Sequence, residues 1–285
     1  MKPAAMTAPV IARIGMVNFI NTAPLYEVWR QTVRRPEWLV TEAAPAVLNS
    51  LLHAGELDLG FVSSQEYALH SEQYRILGDL SISATGPVGS VFLFSRLPWE
   101  DLDRKPVLLS SQSQTSASLI KIILEEFYQV RPCYEVGTIS ADAGAFPRAA
   151  AVLAIGDEAL RMARNRDSYP HVLDLSQAWQ ERTGLPFVFA VWAVREEFCQ
   201  KDPDTVCAVH QELLRCIGQG REELLAISAR VAGRIPMDPE QCYQYLRGVE
   251  YDLSEEKQES LRRFFGYLIK RGEVPATALP LKICG

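Results

Sequence analysis

The stretch Arg13-Ile14-Gly15-Met16-Val17-Asn18-Phe19-Ile20-Asn21-Thr22-Ala23-Pro24-Leu25 changes character abruptly partway along. An apolar run with the composition of a strand stops at small polar residues, and a helix-forming segment follows. Pro24 has no N–H to lose in a first helical turn, so it suits a helix start. In an α/β protein, ligands collect outside the carboxyl ends of the parallel strands, where such strand-to-helix turns lie. Asn21 and Thr22 therefore have two readings. They are an ordinary N-cap, or they turn amide, hydroxyl and backbone N–H groups into a cleft.

The same grammar recurs outward from this stretch. Glu42 to His53 reads as a helix with Pro45 in its first turn and Gly55 as its stop. Leu57 to Val62 reads as a buried strand ending at Ser63-Ser64, and Ser81 to Thr85 and Gly89 to Phe94 as extended pieces around a Gly86-Pro87 turn. Beyond Arg96-Leu97-Pro98, the strand Val107-Leu108-Leu109 runs into Ser110 to Ser116 and a helix carrying Leu119, Ile120, Ile123, Leu124 and Phe127. Further strands are expected at Cys133 to Val136, Ala151 to Ile155 and His171 to Leu175. The run Ala149 to Ile155 is nearly all apolar, as a strand covered on both faces should be, and it ends in Gly156-Asp157. Phe187 to Val194 is a last strand, followed by helices starting at Asp202-Pro203, Asp238-Pro239 and Ser254.

Two β/α blocks bracketed by the strands Val91–Phe94 and Phe187–Val194 describe a chain that crosses from one lobe to another and returns. The expected organisation is residues 1–94 as the first part of lobe 1, 95–188 as lobe 2, and 189–285 as the return crossing and the C-terminal helices that complete lobe 1. Two crossings imply a hinge and a cleft. The strand ends then acquire a common purpose: Asn21-Thr22, Ser63-Ser64, Ser113 to Ser116 and Gly156-Asp157 are the candidate ligand-binding groups. A helix N-terminus with unpaired N–H groups binds carboxylates without Arg or Lys. Ser110 to Ser118 is the richest such segment, although N-capping alone also explains part of it. Glu66 is a candidate base, or a first-turn carboxylate favoured by the helix dipole, and Asp157 has the same ambiguity.

Bulk properties narrow the classes. The chain has 285 residues, 48% hydrophobic and 22% charged, enough for two lobes with their own cores. Its net charge of −6 argues against a nucleic-acid partner, while a local site can still oppose the global sign for a small anion. The N-terminal residues lack a signal-peptide apolar region, and no run approaches the roughly 18 apolar residues of a membrane helix, so a cytoplasmic protein without a membrane association is expected. The 6 cysteines form no C-x-x-C pair and no His stands at zinc-ligand spacing from a Cys pair, so reduced thiols and no metal are expected. His53, His70, His171 and His210 are read as surface or capping residues. The phosphate-binding glycine motifs and the G-x-S-x-G elbow are absent.

These blocks together resemble a family. Ile14-Gly15 through Asn21-Thr22-Ala23-Pro24-Leu25 is similar to the Gly-x-x-x-Tyr-Leu-Asn-Thr-x-Pro-Leu opening of the menaquinone-pathway chorismate dehydratases. Gly55 to Gly60 with Val62 to Tyr67, Ser81-Ile82-Ser83 with Gly86, Val88 and Ser90-Val91, Thr115-Ser116, and Ile155 to Leu160 resemble the later blocks in order, over about residues 13 to 195. Asn18 and Phe19 stand where the family more often has Ser and Tyr, and Ala84 replaces a frequent Ser. The resemblance implies an α/β, two-lobed fold like the type II periplasmic binding proteins, with the ligand cleft between lobes. It implies a lyase that converts chorismate to 3-[(1-carboxyvinyl)oxy]benzoate and water in the futalosine route, with no metal or organic cofactor. The family's substrate-contacting Asn and Ser fall on Asn21 and Ser90. Alternative readings of the same cleft are a cytoplasmic small-carboxylate binding protein or sensor, and the related dihydroxynaphthoate synthase of the same pathway. With no His or Lys at the strand ends, the expected mechanism lets the substrate's enolpyruvyl carboxylate take the C3 proton, Glu66 being the competing enzymic base.

Overall fold

The computed structural model describes residues 9–140, 146, 148–164, 168–235 and 237–284. Strands and helices are numbered in chain order. The first sheet is built from β1 (Ala12–Met16), β2 (Trp38–Glu42), β3 (Leu59–Ser63), β4 (Tyr74–Ala84), β10 (Phe187–Arg195) and β11 (Ile283–Cys284), in the order β11-β4-β10-β3-β1-β2. Its β1 pairs parallel with both β2 and β3, and β10 runs antiparallel between β3 and β4. The second sheet has the order β7-β6-β8-β5-β9, from β5 (Val91–Ser95), β6 (Pro106–Ser110), β7 (Cys133–Gly137), β8 (Ala151–Ile155) and β9 (His171–Asp174). All of β8 is buried, which explains its unbroken apolar sequence at the centre of that sheet.

Sheet membership corrects the first crossing. Val91–Phe94 pairs antiparallel with β8 and β9, so the chain has already entered the second lobe there and crosses between Ala84 and Val91 rather than at residue 94. Two further differences have local causes. The short edge strand β2 was not expected, because most of its residues are only partly buried and carry no strong alternation; the helix behind it accordingly starts at Pro45, not Glu42. Strand β4 begins at Tyr74, well ahead of Ser81. Its apolar pattern is broken at Gly78-Asp79, where Asp79 has φ 54°, and its pairing with β10 shifts register twice.

The helices that matter for the cleft are α1 (Ala23–Thr32), α2 (Pro45–His53), α3 (Ser64–Leu69), α4 (Gln114–Ile122), α5 (Gly156–Met162) and α6 (Leu175–Thr183). Behind the return strand come α7 (Glu196–Lys201), α8 (Pro203–Glu222), α9 (Leu224–Val231), α10 (Pro239–Gly248) and α11 (Glu255–Lys270). Helix α8 fixes α1 by backbone approach: a Cβ at Gly220 would stand 2.0 Å from the Pro24 carbonyl oxygen, so only glycine permits this packing. Beside the return crossing, Trp179 of α6 packs edge-on against Phe187 and Phe264 and donates its Nε1–H to Ser260 Oγ at 3.1 Å. Such aromatic pairs contribute about 0.5–1.5 kcal/mol each beyond area burial. Among the described residues, no helix is long and apolar enough to cross a membrane.

Candidate active site

The opening stretch folds as a strand, a one-turn 3₁₀ helix and α1. Thr22 is buried, and its hydroxyl donates to Val17 O at 2.7 Å and Phe19 O at 2.9 Å, holding the turn shut. That turn leaves the Asn21 side chain facing the interlobe cleft, with Oδ1 buried and without a hydrogen-bond partner. The Asn21 carbonyl oxygen is held from behind by the Tyr251 hydroxyl at 2.9 Å. A buried acceptor left unpaired costs roughly 1–3 kcal/mol, so this oxygen is an open demand for a donor.

The cleft holds about 620 Å³ of space outside the atoms, part of it open to solvent. Its apolar walls include Phe19, Phe61 and Phe189, and its polar groups are Asn21, Ser63, Ser90, Ser113, Ser116 and the backbone at Gly156. Among the described residues, no Asp, Glu, His, Lys or Arg lines it.

Each polar group is placed by a local rule. Ser63 caps α3, its Oγ accepting from Glu66 N at 3.2 Å and from Asn49 Nδ2 at 3.3 Å. Ser113 caps α4, accepting from Ser116 N at 3.1 Å and donating to Ser116 Oγ at 2.9 Å, which leaves the Ser116 proton free to point elsewhere. The first N–H groups of α4 have no intrahelical partner and carry the positive end of the helix dipole. Ser90 is buried, and its Oγ accepts from the Tyr245 hydroxyl at 2.9 Å, so its own proton is available to a ligand. Burial raises the Tyr245 hydroxyl pKa and keeps it a donor. Gly156 has φ +57°, and a Cβ there would meet Phe19 Cδ2 at 3.3 Å; its N–H donates to Ser90 O at 2.7 Å.

Not every residue expected at the site faces it. Thr22, Ser64, Thr115 and Asp157 are absent from the cleft lining because their polar groups are used within the protein. Ser64 donates to Val188 O at 2.7 Å, inside the first lobe. Thr115 and Asp157 join the lobes instead: Thr115 Oγ1 accepts from Gln65 N at 3.0 Å, and Asp157 Oδ1 from Ile20 N at 3.2 Å. Burial raises the Asp157 pKa, against the opposing effect of the Ile20 N–H. Asn18 lies outside the lining too, bonded to Glu42 and Arg234.

Glu66 is also corrected. Its carboxyl turns away from the cleft, accepts from the Tyr74 hydroxyl at 3.3 Å and lies 3.6 Å from His70 Nε2. Burial pushes its pKa up to about 7. Tyr245 and Tyr251, by contrast, were not anticipated: each acts on a site residue 155 or 230 positions away, a separation no local pattern reveals.

Two sheets joined by two crossings, with a polar-ended cleft between them, define a protein of the periplasmic-binding-protein-like fold. Solved structures agree. Protein AF1704 from Archaeoglobus fulgidus superposes with a TM-score of 0.68 at 18% identity, over 92% of this chain and 98% of that one. The periplasmic aliphatic sulphonate binding protein SsuA from Escherichia coli gives 0.67 at 14% identity, over 98% and 93%. More specifically, the chain belongs to the menaquinone biosynthesis family, whose model matches residues 12–270. A relative from Thermus thermophilus, a chorismate dehydratase, is 33% identical over 270 residues, 88% of this chain and 93% of that protein.

Proposed function

We propose that this protein is a cytoplasmic hydro-lyase that dehydrates chorismate to 3-[(1-carboxyvinyl)oxy]benzoate in menaquinone biosynthesis. Family membership and the chorismate dehydratase relative support the reaction. The observation that carries the mechanism is the cleft lining, which among the described residues offers hydroxyls, an amide and N–H groups but no ionisable side chain.

Chorismate is a dianion whose ring becomes aromatic when the C4 hydroxyl and the C3 proton leave. Aromatisation supplies the driving force, so the protein has to orient, desolvate and let one proton move. Orientation in a closed cleft contributes up to roughly 7–11 kcal/mol. The C3–H is vinylogous to the ring carboxylate, so donors on that carboxylate stabilise the charge that develops as the proton leaves. The α4 N-terminus with Ser113 and Ser116 suits this duty, since a helix dipole and a free hydroxyl proton converge there.

The remaining polar groups fit the other functions of the substrate. The dianion has a single O–H donor, at C4, and Asn21 Oδ1 is a buried acceptor lacking a donor. The Asn21 amide therefore receives the C4 hydroxyl, and its NH₂ supports the oxygen as the C–O bond breaks. Ser90, with Tyr245 behind it, holds the enolpyruvyl carboxylate. That carboxylate is adjacent to C3 and takes the C3 proton, since the described lining offers no base, and the resulting carboxylic acid passes the proton to the departing C4 hydroxyl, which leaves as water.

Incubating the purified protein with chorismate and following the benzoate product by liquid chromatography tests the reading. Stoichiometric formation of the product is expected. Tight binding without turnover would instead mark a chorismate receptor on the same fold, and neither binding nor product would remove chorismate as the ligand.

A further inference from the structure

Apart from the cleft, the first lobe carries one cluster of metal-ligating side chains among the described residues: His53, Glu66 and His70, whose ligand atoms all lie within 4.8 Å of one another. His53 is the last residue of α2, and Glu66 and His70 stand four apart at the start and end of α3, on one helix face. The His70 Nε2 to Glu66 Oε1 distance is 3.6 Å, and the two imidazoles stack with centroids 3.9 Å apart. Bonds of about 2.0–2.1 Å from a tetrahedral ion separate neighbouring ligand atoms by about 3.3 Å, so closing the set requires His53 to unstack from His70 and its ligand atom to move in by an ångström or so. His53 is exposed at a helix end and has room to rotate.

We infer that His53, Glu66 and His70 form a Zn²⁺ site. Two imidazoles and one carboxylate are a zinc donor set, and the exposed side leaves a fourth position for water. The surroundings supply the supporting contacts such a site needs. The Tyr74 hydroxyl donates to Glu66 Oε1 at 3.3 Å and orients the buried carboxylate. Arg195 donates to Leu52 O at 2.9 Å and His53 O at 3.3 Å, which fixes the backbone that carries the first imidazole. The Arg195 charge opposes a cation, and Glu197 at 3.8 Å partly offsets it. The ion ties the C-terminal end of α2 to α3. The first residue of α2, Pro45, and the cap of α3, Ser63, line the cleft, so the ion steadies one cleft wall without touching the reaction.

Chelator-treated full-length protein titrated with ZnCl₂, read by calorimetry, tests the inference. The expected result is one saturable micromolar ion per chain. His70→Ala and His53→Ala should each weaken binding by at least about tenfold, and Tyr74→Phe by roughly tenfold. Zn²⁺ at a hundredfold excess over its Kd should raise the thermal midpoint by roughly 5 °C in the wild type and by much less in the His variants. In NMR spectra, the His53 and His70 ring resonances should shift on addition of the ion while those of His171 stay in place. Absence of saturable binding overturns the site, as does binding that survives both His53→Ala and His70→Ala. Because His53 is exposed, its variant separates loss of a ligand from loss of fold.

Discussion

Helices α2 and α3 present opposite chemistry toward the cleft and away from it. Where they begin, at Pro45 and Ser63, they line a cleft with no ionisable side chain among the described residues. Away from the cleft, at the end of α2 and along α3, His53, Glu66 and His70 bring three titratable groups together, one of them a buried carboxyl pushed up to about 7. A perturbed carboxyl is a usual sign of an acid–base site. Here it stands outside the cavity, while the polar groups of the described cavity walls are neutral donors and acceptors. The contrast is what the proposed mechanism predicts, in which the ligand carries the proton chemistry of this cleft and the protein contributes position and neutral hydrogen bonds.

The strongest way to break that comparison is at Asn21. If a neutral amide does the work at the C4 oxygen, Asn21→Ala should lower kcat by about 10²–10³, the usual loss on removing a preorganised donor at a developing charge. Thr22 and Tyr251 hold the turn through the backbone, so the variant should keep its fold and thermal midpoint. Asn18→Ala, outside the lining, is the control and should turn over normally. Steady-state kinetics with product detection decides it, and near-normal turnover by Asn21→Ala would remove the assigned role.

Ser90 should matter less, because a carboxylate has other donors in reach. A loss of roughly 10-fold in kcat/KM is expected for Ser90→Ala. Tyr245→Phe should lose less again, about threefold, since it only frees Ser90 to reorient; an additive loss in the double variant would mean that Tyr245 acts independently of Ser90.

How far the sequence leads differs between these residues for a physical reason. Strand ends are local events: Asn21, Ser63, Ser113 and Gly156 are each announced by an apolar run that stops at a small or polar residue before a helix. The fold follows from the same punctuation, since a central strand such as Ala151–Ile155 must be apolar throughout. Which way a side chain turns at such an end is not local. Thr22, Ser64, Thr115 and Asp157 share the composition of the site, yet their hydroxyls and carboxylate are taken by Val17, Val188, Gln65 and Ile20. Three of those four bonds join segments 50 or more residues apart, and two of them bridge the lobes. Tyr245 and Tyr251 were hidden for the same reason, lying on and just beyond α10 with nothing nearby in sequence to mark their partners. The strand β2 escaped because an edge strand with mostly half-exposed residues has little hydrophobic pattern to show.

The last test expects almost no effect, and that makes it the sharpest on mechanism. Glu66→Gln keeps the size of the side chain and an oxygen for the Tyr74 hydroxyl, so the packing at 3.3 Å can survive. If Glu66 took the C3 proton, only its ionised form would work. With its pKa near 7, kcat/KM would then climb as the pH passes through about 7, and the glutamine would abolish turnover while leaving chorismate bound. A base must also come within hydrogen-bond reach of the proton it removes, and the carboxyl faces Tyr74 and His70 instead of the cleft. The expected result is a kcat within about twofold of the wild type and an unchanged pH profile between 5.5 and 8.5, roughly the span over which such a carboxyl titrates. Loss of turnover with retained binding would return the proton to the enzyme and reverse the contrast between the cleft and the group of His53, Glu66 and His70.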